Sequence, residues 1–198
     1  MDQVTATIWI IPGSPALVEE LSLHDAPSHR LRTHIRSLAA EEAAGSNRPI
    51  DIVCSLDERW RTGHTGSLQA WGAPQVRVRG GNHLGELVAR YALGDPEVRE
   101  VRAHIGTPDP QAVTVVVVDG SAGLTARAPL ALVPGAQELH QRMCEWLGGG
   151  EGIVDTQMPG VVEPALWHEL AELTPQRAML VDADDTLGVG RYVAVWEC

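Results

Sequence analysis

The chain has no lysine: all 15 of its basic residues are arginine. That absence excludes Schiff-base catalysis and any other mechanism that needs a lysine amine. Positive charge is scarce as well, since 26 acidic residues against 15 basic ones leave a formal net charge of −11. Such a surface repels nucleic-acid phosphates and anionic membranes, so neither is an expected partner. Cysteine is rare and odd in number, with only Cys54, Cys144 and Cys198, far apart. Their scatter suits neither a disulfide framework nor a zinc site and predicts reduced thiols. No apolar run approaches the ~20 residues needed to span a bilayer. Met1-Asp2-Gln3 lacks the basic start of a secretory signal, and the expected location is the cytoplasm. No repeat, low-complexity tract or long linker divides the 198 residues, so one domain over 1–198 is expected.

What is present is a valine-rich run, Val113-Thr114-Val115-Val116-Val117-Val118. It has no polar alternation to mark a wet face, and so predicts an inner strand covered on both sides. Asp119-Gly120-Ser121-Ala122-Gly123 follows it as a small polar turn. In open α/β sheets, ligands sit beyond the carboxyl ends of the strands. That turn is therefore the first place to expect chemistry.

The rest of the chain supplies matching elements. Strands are expected at Thr5–Ile11, Ile50–Ser55, Gln75–Arg79, Ala178–Asp182 and Arg191–Trp196. Ser14-Pro15 reads as the capped start of a short helix to Leu21. Pro27-Ser28 opens a longer helix, with Leu31, Ile35, Leu38 and Ala39 on one face and Gly45 at its end. Asn82 is a candidate cap for a helix carrying Leu84, Leu87, Val88 and Tyr91. Asp95-Pro96 predicts a further helix, with Val98, Val101 and Ile105 inward. Helices are also expected over Gly135–Leu147 and Pro164–Leu173. Asp57–Gly72 reads as a polar loop. Together these predict a three-layer α/β/α domain with a mostly parallel central sheet and an antiparallel C-terminal hairpin.

Three constellations invite chemistry. Leu180–Leu187 (LVDADDTL) resembles the first motif of haloacid-dehalogenase-type phosphatases, in which Asp182 would be the nucleophile and Asp184 the general acid/base. Only eleven residues follow it, however, and the cationic partner of that family has no lysine to fill it. A plain reading makes it an acidic hairpin turn. His64 and His83 lie after strands, where a cleft would be, and with Asp57, Glu58 or Glu86 they could form a two-histidine, one-carboxylate metal site. His29 and His34 do not share a helical face, and His104, His140 and His168 fall on expected helices as surface or boundary residues. Ser121 could present a nucleophile, but Gly120 directly precedes it and no nucleophile elbow results. Trp60, Trp71 and Trp196 read as packing residues.

Three stretches, taken in order, carry a family resemblance. They are Ile10–Leu21 (IIPGSPALVEEL), Val116–Pro129 (VVVDGSAGLTARAP) and Asp184–Trp196 (DDTLGVGRYVAVW). Trp71–Val76 (WGAPQV) fits more loosely between the first two. Together they resemble the small actinobacterial proteins grouped with class III extradiol ring-cleavage dioxygenases, the LigB-like superfamily. The resemblance implies a LigB-like fold over 1–198, with the acidic C-terminal turn as part of a closing hairpin. Active members hold Fe(II) through two His and one Glu and use a further His as acid/base on a catechol. Here Pro12-Gly13-Ser14-Pro15 stands where a ligand His is implied, and Ala122 where the acid/base His is implied. His64 alone would be retained. The resemblance thus implies the fold without the Fe(II) cofactor or the ring cleavage, with no catalytic residue and no metal ligand assigned. The expected remnant is a cleft near Ser14, His64, His83, Asp119 and Ser121 that takes a small-molecule ligand. A metal-dependent oxidoreductase with a site rebuilt on His64 and His83 is the alternative, and the Asp182/Asp184 phosphatase the more distant one. A homodimer through leftover apolar helix surface is compatible with the pattern.

Overall fold

In chain order the structure, a computed structural model, runs β1 (Thr7–Ile11), α1 (Ala26–Ala44), β2 (Ile50–Val53), β3 (Ser67–Leu68), β4 (Ala73–Arg77), α2 (Leu84–Leu93), β5 (Val98–Arg102) and β6 (Val113–Val117). It continues with α3 (Ala136–Leu147), α4 (Ala165–Ala171), β7 (Arg177–Asp184) and β8 (Arg191–Glu197). It describes residues 5–150, 152 and 157–198; Met1-Asp2-Gln3, read above for its charge, lies outside them. No helix among the described residues is long and apolar enough to cross a membrane.

Six strands form one sheet in the order β5-β2-β6-β1-β8-β7. The first four are parallel, and β8 and β7 close the other side antiparallel. The valine strand β6 is buried at all five positions and sits between β2 and β1. An unbroken apolar run is what such a place requires, because helices cover both faces.

Alternation along the strands divides the core in two. Trp9 and Ile11 of β1, with Val113, Val115 and Val117, meet Leu31 and Ile35 of α1 and Leu87 and Val88 of α2. Ile8 and Ile10, with Val116 and Val118, meet Leu139 and Met143 of α3 and Leu166 and Trp167 of α4. The period of two along a strand sends neighbours to opposite faces. Each fully buried aliphatic side chain contributes about 1.5–3 kcal/mol. With no phenylalanine in the chain, indoles supply the bulk on the α3/α4 side. Trp146 packs edge-on to Trp196, with ring centroids 5.1 Å apart, and tilted against Trp167 at 6.2 Å.

The helix ends follow their local chemistry. Asp25 accepts the Ser28 amide at 3.2 Å to cap α1, and the Gly45 amide returns to Glu41 and Glu42 at its close. Arg191, fully buried at the start of β8, bonds Asp184, Asp25 and Ser28 and so ties the C-terminal hairpin to α1.

Four expectations need correction. Val98–Arg102 is a strand, not a helix. Its Val98 and Val101 are three apart, as on a helix, yet they pair with Ile50 and Ile52, because the β2–β5 register slips by one residue between them. Pairing with β2, and the Arg99 bonds to buried Asp51 at 2.6 and 2.8 Å, override that local pattern. The third expected strand lies outside the main sheet: β4 pairs antiparallel with β3 in a separate two-stranded sheet. The segment 57–72, read as loop, supplies β3 and two short 3-10 turns. Asn82 does not cap α2, whose cap position is His83. Its amide instead donates to Thr62 O at 2.9 Å and Thr65 Oγ1 at 3.0 Å, pinning the loop before α2.

Candidate functional site

A cavity of about 630 Å³ opens beyond the carboxyl ends of the parallel strands. Each of those strands hands it a segment: Gly13-Ser14-Pro15 after β1, Ser55-Leu56-Asp57 after β2, Ala103-His104 after β5 and Val118-Asp119-Gly120 after β6. Trp60 and Trp71 add indoles from one side, Leu84 and Gly85 come from the start of α2, and Val162, Glu163, Ala165 and Leu166 come from the approach to α4. The walls are mainly apolar, with a few polar groups, and the volume falls in the range of small-molecule sites.

Asp119 is the one predicted residue with unusual surroundings. The N–H of Trp167 fixes its backbone by donating to the Asp119 carbonyl at 2.8 Å. The next residue is held by the β7–β8 turn, with the Gly120 amide on Gly190 O at 2.7 Å. Glycine is needed there, because a Cβ on Gly120 would lie 2.7 Å from the Tyr192 hydroxyl. The loop after β1 also presses close, and a Cβ on Gly13 would meet Asp119 Oδ2 at 3.3 Å. Asp119 Oδ1 is buried and has no hydrogen-bond partner. Burial pushes this carboxyl up to about 6, against the pull of the Gly13 and Ser14 backbone amides and of the Arg191 charge. A carboxyl poised there changes charge near neutral pH.

Ser14 also lines the cavity, with its Oγ accepting the Ala16 amide at 3.3 Å as the N-cap of a short 3-10 turn. Ser121 does not line it. That side chain is fully buried and accepts the Gly123 amide at 3.1 Å, which leaves it a turn-forming residue. His64 is exposed on the loop before β3, and His83 stands at the head of α2; neither lines the cavity. Of the carboxylates offered as their partners, Glu86 is buried against Arg90 at 2.9 Å. Among the described residues no group of three or more His, Cys, Asp or Glu side chains is arranged to hold a metal ion.

The phosphatase-like segment lies apart. Asp182 accepts from Arg30 at 2.7 and 3.3 Å, and Asp184 pairs with buried Arg191 and with the Thr186 hydroxyl. Neither carboxylate reaches the cavity lining.

Sequence reading missed several wall residues. His104 lies in the loop after β5, not on a helix, and bonds Glu169 at 2.8 Å. At the mouth, Glu163 accepts from Arg59, from the Trp60 indole at 3.1 Å and from Ser55 at 3.4 Å. Arg59 also holds Asp57 at 3.1 Å and stacks over Trp60, 5.7 Å from the ring centroid. About a hundred residues separate Glu163 from these partners, so no local motif could announce the group. A scan against protein-family models finds no match to this chain, and a search of curated proteins finds none either.

Proposed function

We propose that this chain is a small-molecule-binding protein on a LigB-like scaffold, and that it does not cleave aromatic rings. The observation that carries the reading is the cavity at the carboxyl edge of four parallel strands, apolar in its walls and bearing a carboxyl with an unmet acceptor. Open α/β sheets place their ligands there. The LigB-like part rests on the stretches Ile10–Leu21, Val116–Pro129 and Asp184–Trp196, whose turns surround or support that edge.

Iron does not fit the residues present. The loop after β1 offers Gly13 and Ser14 where an imidazole would be needed, and Ala122 has no titratable group. His64 points to no shared site with another ligand, and the one histidine on the cavity wall, His104, bonds Glu169. Two neutral imidazoles and a carboxylate on one face are what Fe(II) asks for.

A fragment library read by ligand-observed NMR tests the binding role. Fragments should bind the wild type and be lost from Ala103→Trp, which fills the cavity from the β5 end. Binding that ignores Ala103→Trp, or no binding at all, refutes the role. Wild-type protein with Fe(II), a catechol and air should form no yellow ring-opened product; its formation would refute the second half of the reading.

A further inference from the structure

The polar groups on the cavity wall are unequal in sign. Asp57, Asp119 and Glu163 are acidic, and no arginine lines the cavity among the described residues. At the mouth this acidity is already answered. The Arg59 guanidinium lies on the Trp60 ring and bonds both Asp57 and Glu163. The mouth thus holds a cation between an indole and two carboxylates, a recognised way of binding one. Deeper in, Asp119 has no such answer. Its Oδ1 is buried without a partner; the Arg191 charge acts on it, but the hydrogen bonds of that guanidinium go to Asp184, Asp25 and Ser28. A buried acceptor left unmet is expensive, and a ligand that supplies the missing donor recovers that free energy. The rest of the wall asks for an apolar body, with Trp71, Leu84, Val117 and Leu166 around it. The net charge of −11 concentrates cations near the protein and disfavours anions.

We infer that the cavity takes an organic cation: a molecule with an aromatic or aliphatic body and a protonated amine, the amine meeting Asp119. This rests on the cavity being a binding site, the reading given above, and goes beyond it by naming the ligand class and the residue that selects it. Asp119 is here a binding residue, with no chemical step assigned to it.

A matched set of probes separates the two claims. Tryptamine carries the charge, tryptophol replaces it with a neutral hydroxyl, and indole-3-acetate reverses it. Titration calorimetry at pH 7.5 should show tryptamine binding about tenfold or more tighter than tryptophol, a difference of one charge-assisted contact. Indole-3-acetate should be weakest. In Asp119→Asn the ratio of tryptamine to tryptophol affinity should fall to about threefold or less, whatever tryptophol itself does, and a cooperative unfolding transition reports that the variant is folded. Ala103→Trp should remove all binding. If tryptophol or indole-3-acetate equals or exceeds tryptamine, and Ala103→Trp abolishes them, the cavity is a site and the cation inference is wrong. If the amine preference survives in Asp119→Asn, the selection lies elsewhere and the inference also fails. If none of the three binds while library fragments do, the ligand is not a cation of this class and the binding role stands.

Discussion

Replacing Asp119 with asparagine should make the protein more stable at neutral pH, not less. In the unfolded chain this carboxyl titrates at its ordinary 3.8, and in the fold burial raises it to about 6. Between those values the native state keeps a proton that the unfolded state releases. Stability from this group therefore falls as pH rises through that window, and above it the full penalty applies. One pKa unit is 1.36 kcal/mol, so the penalty reaches about 3 kcal/mol at pH 8. About 1.4 kcal/mol of it develops between pH 5 and pH 8. Asparagine keeps the shape and removes the charge. Its amide nitrogen brings donors of its own, which reduces the gain at pH 8 to about 1–3 kcal/mol. Urea unfolding of both proteins at pH 5, 6, 7 and 8 measures this directly. The wild type should lose about 1.4 kcal/mol more than the variant across the range. Profiles that run parallel within about 0.3 kcal/mol would show that Asp119 is not desolvated as its place behind Gly13 requires.

Other perturbations test other joints of the fold. Arg191→Met should cost about 3–5 kcal/mol by leaving Asp184 charged and buried, and adding Asp184→Leu should recover most of it in the same unfolding assay. Trp167→Phe removes the donor to the Asp119 carbonyl and should cost about 1–3 kcal/mol, with altered binding of any cavity ligand read by titration. Burial pushes the Cys54 thiol up to about 12, so a thiol reagent at pH 8 should label it only after denaturant is added, as peptide mapping will show. Labelling of Cys54 in the native protein would mean that the β2 end opens.

Much of the scaffold was legible from residues alone, because the signals there are local. Val113–Val118 declares an inner strand by having no wet face, and β6 occupies one. Pro27-Ser28 declares the start of α1, which opens at Ala26; Ser14-Pro15 declares a capped start too, but the expected helix to Leu21 is two 3-10 turns, Pro15–Leu17 and Glu19–Leu21. Asp119 was legible as a residue of the crevice at the strand ends, because it opens the polar turn after a buried strand, and it lines the cavity there. The failures have a common cause in long-range pairing. Val98–Arg102 carries a helix-like spacing, and only its partner β2 makes it a strand. His64 and His83 looked convergent because both follow strands, yet the segment between them folds as its own small sheet of β3 and β4, and neither imidazole lines the cavity that Trp60 and Trp71 reach. Glu163, Trp60 and His104 join the cavity wall only after folding brings distant segments together.

The strand order has a consequence for how this protein is made. β1 and β2 are formed from the first 53 residues, yet they do not pair with each other; β6 lies between them and bonds both. A growing chain therefore holds two sticky strands apart until residue 113 has been made, since a sheet needs its middle before its flanks can share it. Ribosome-bound chains cut short of that point should be clients of chaperones, and those extended past it should begin to resist proteases.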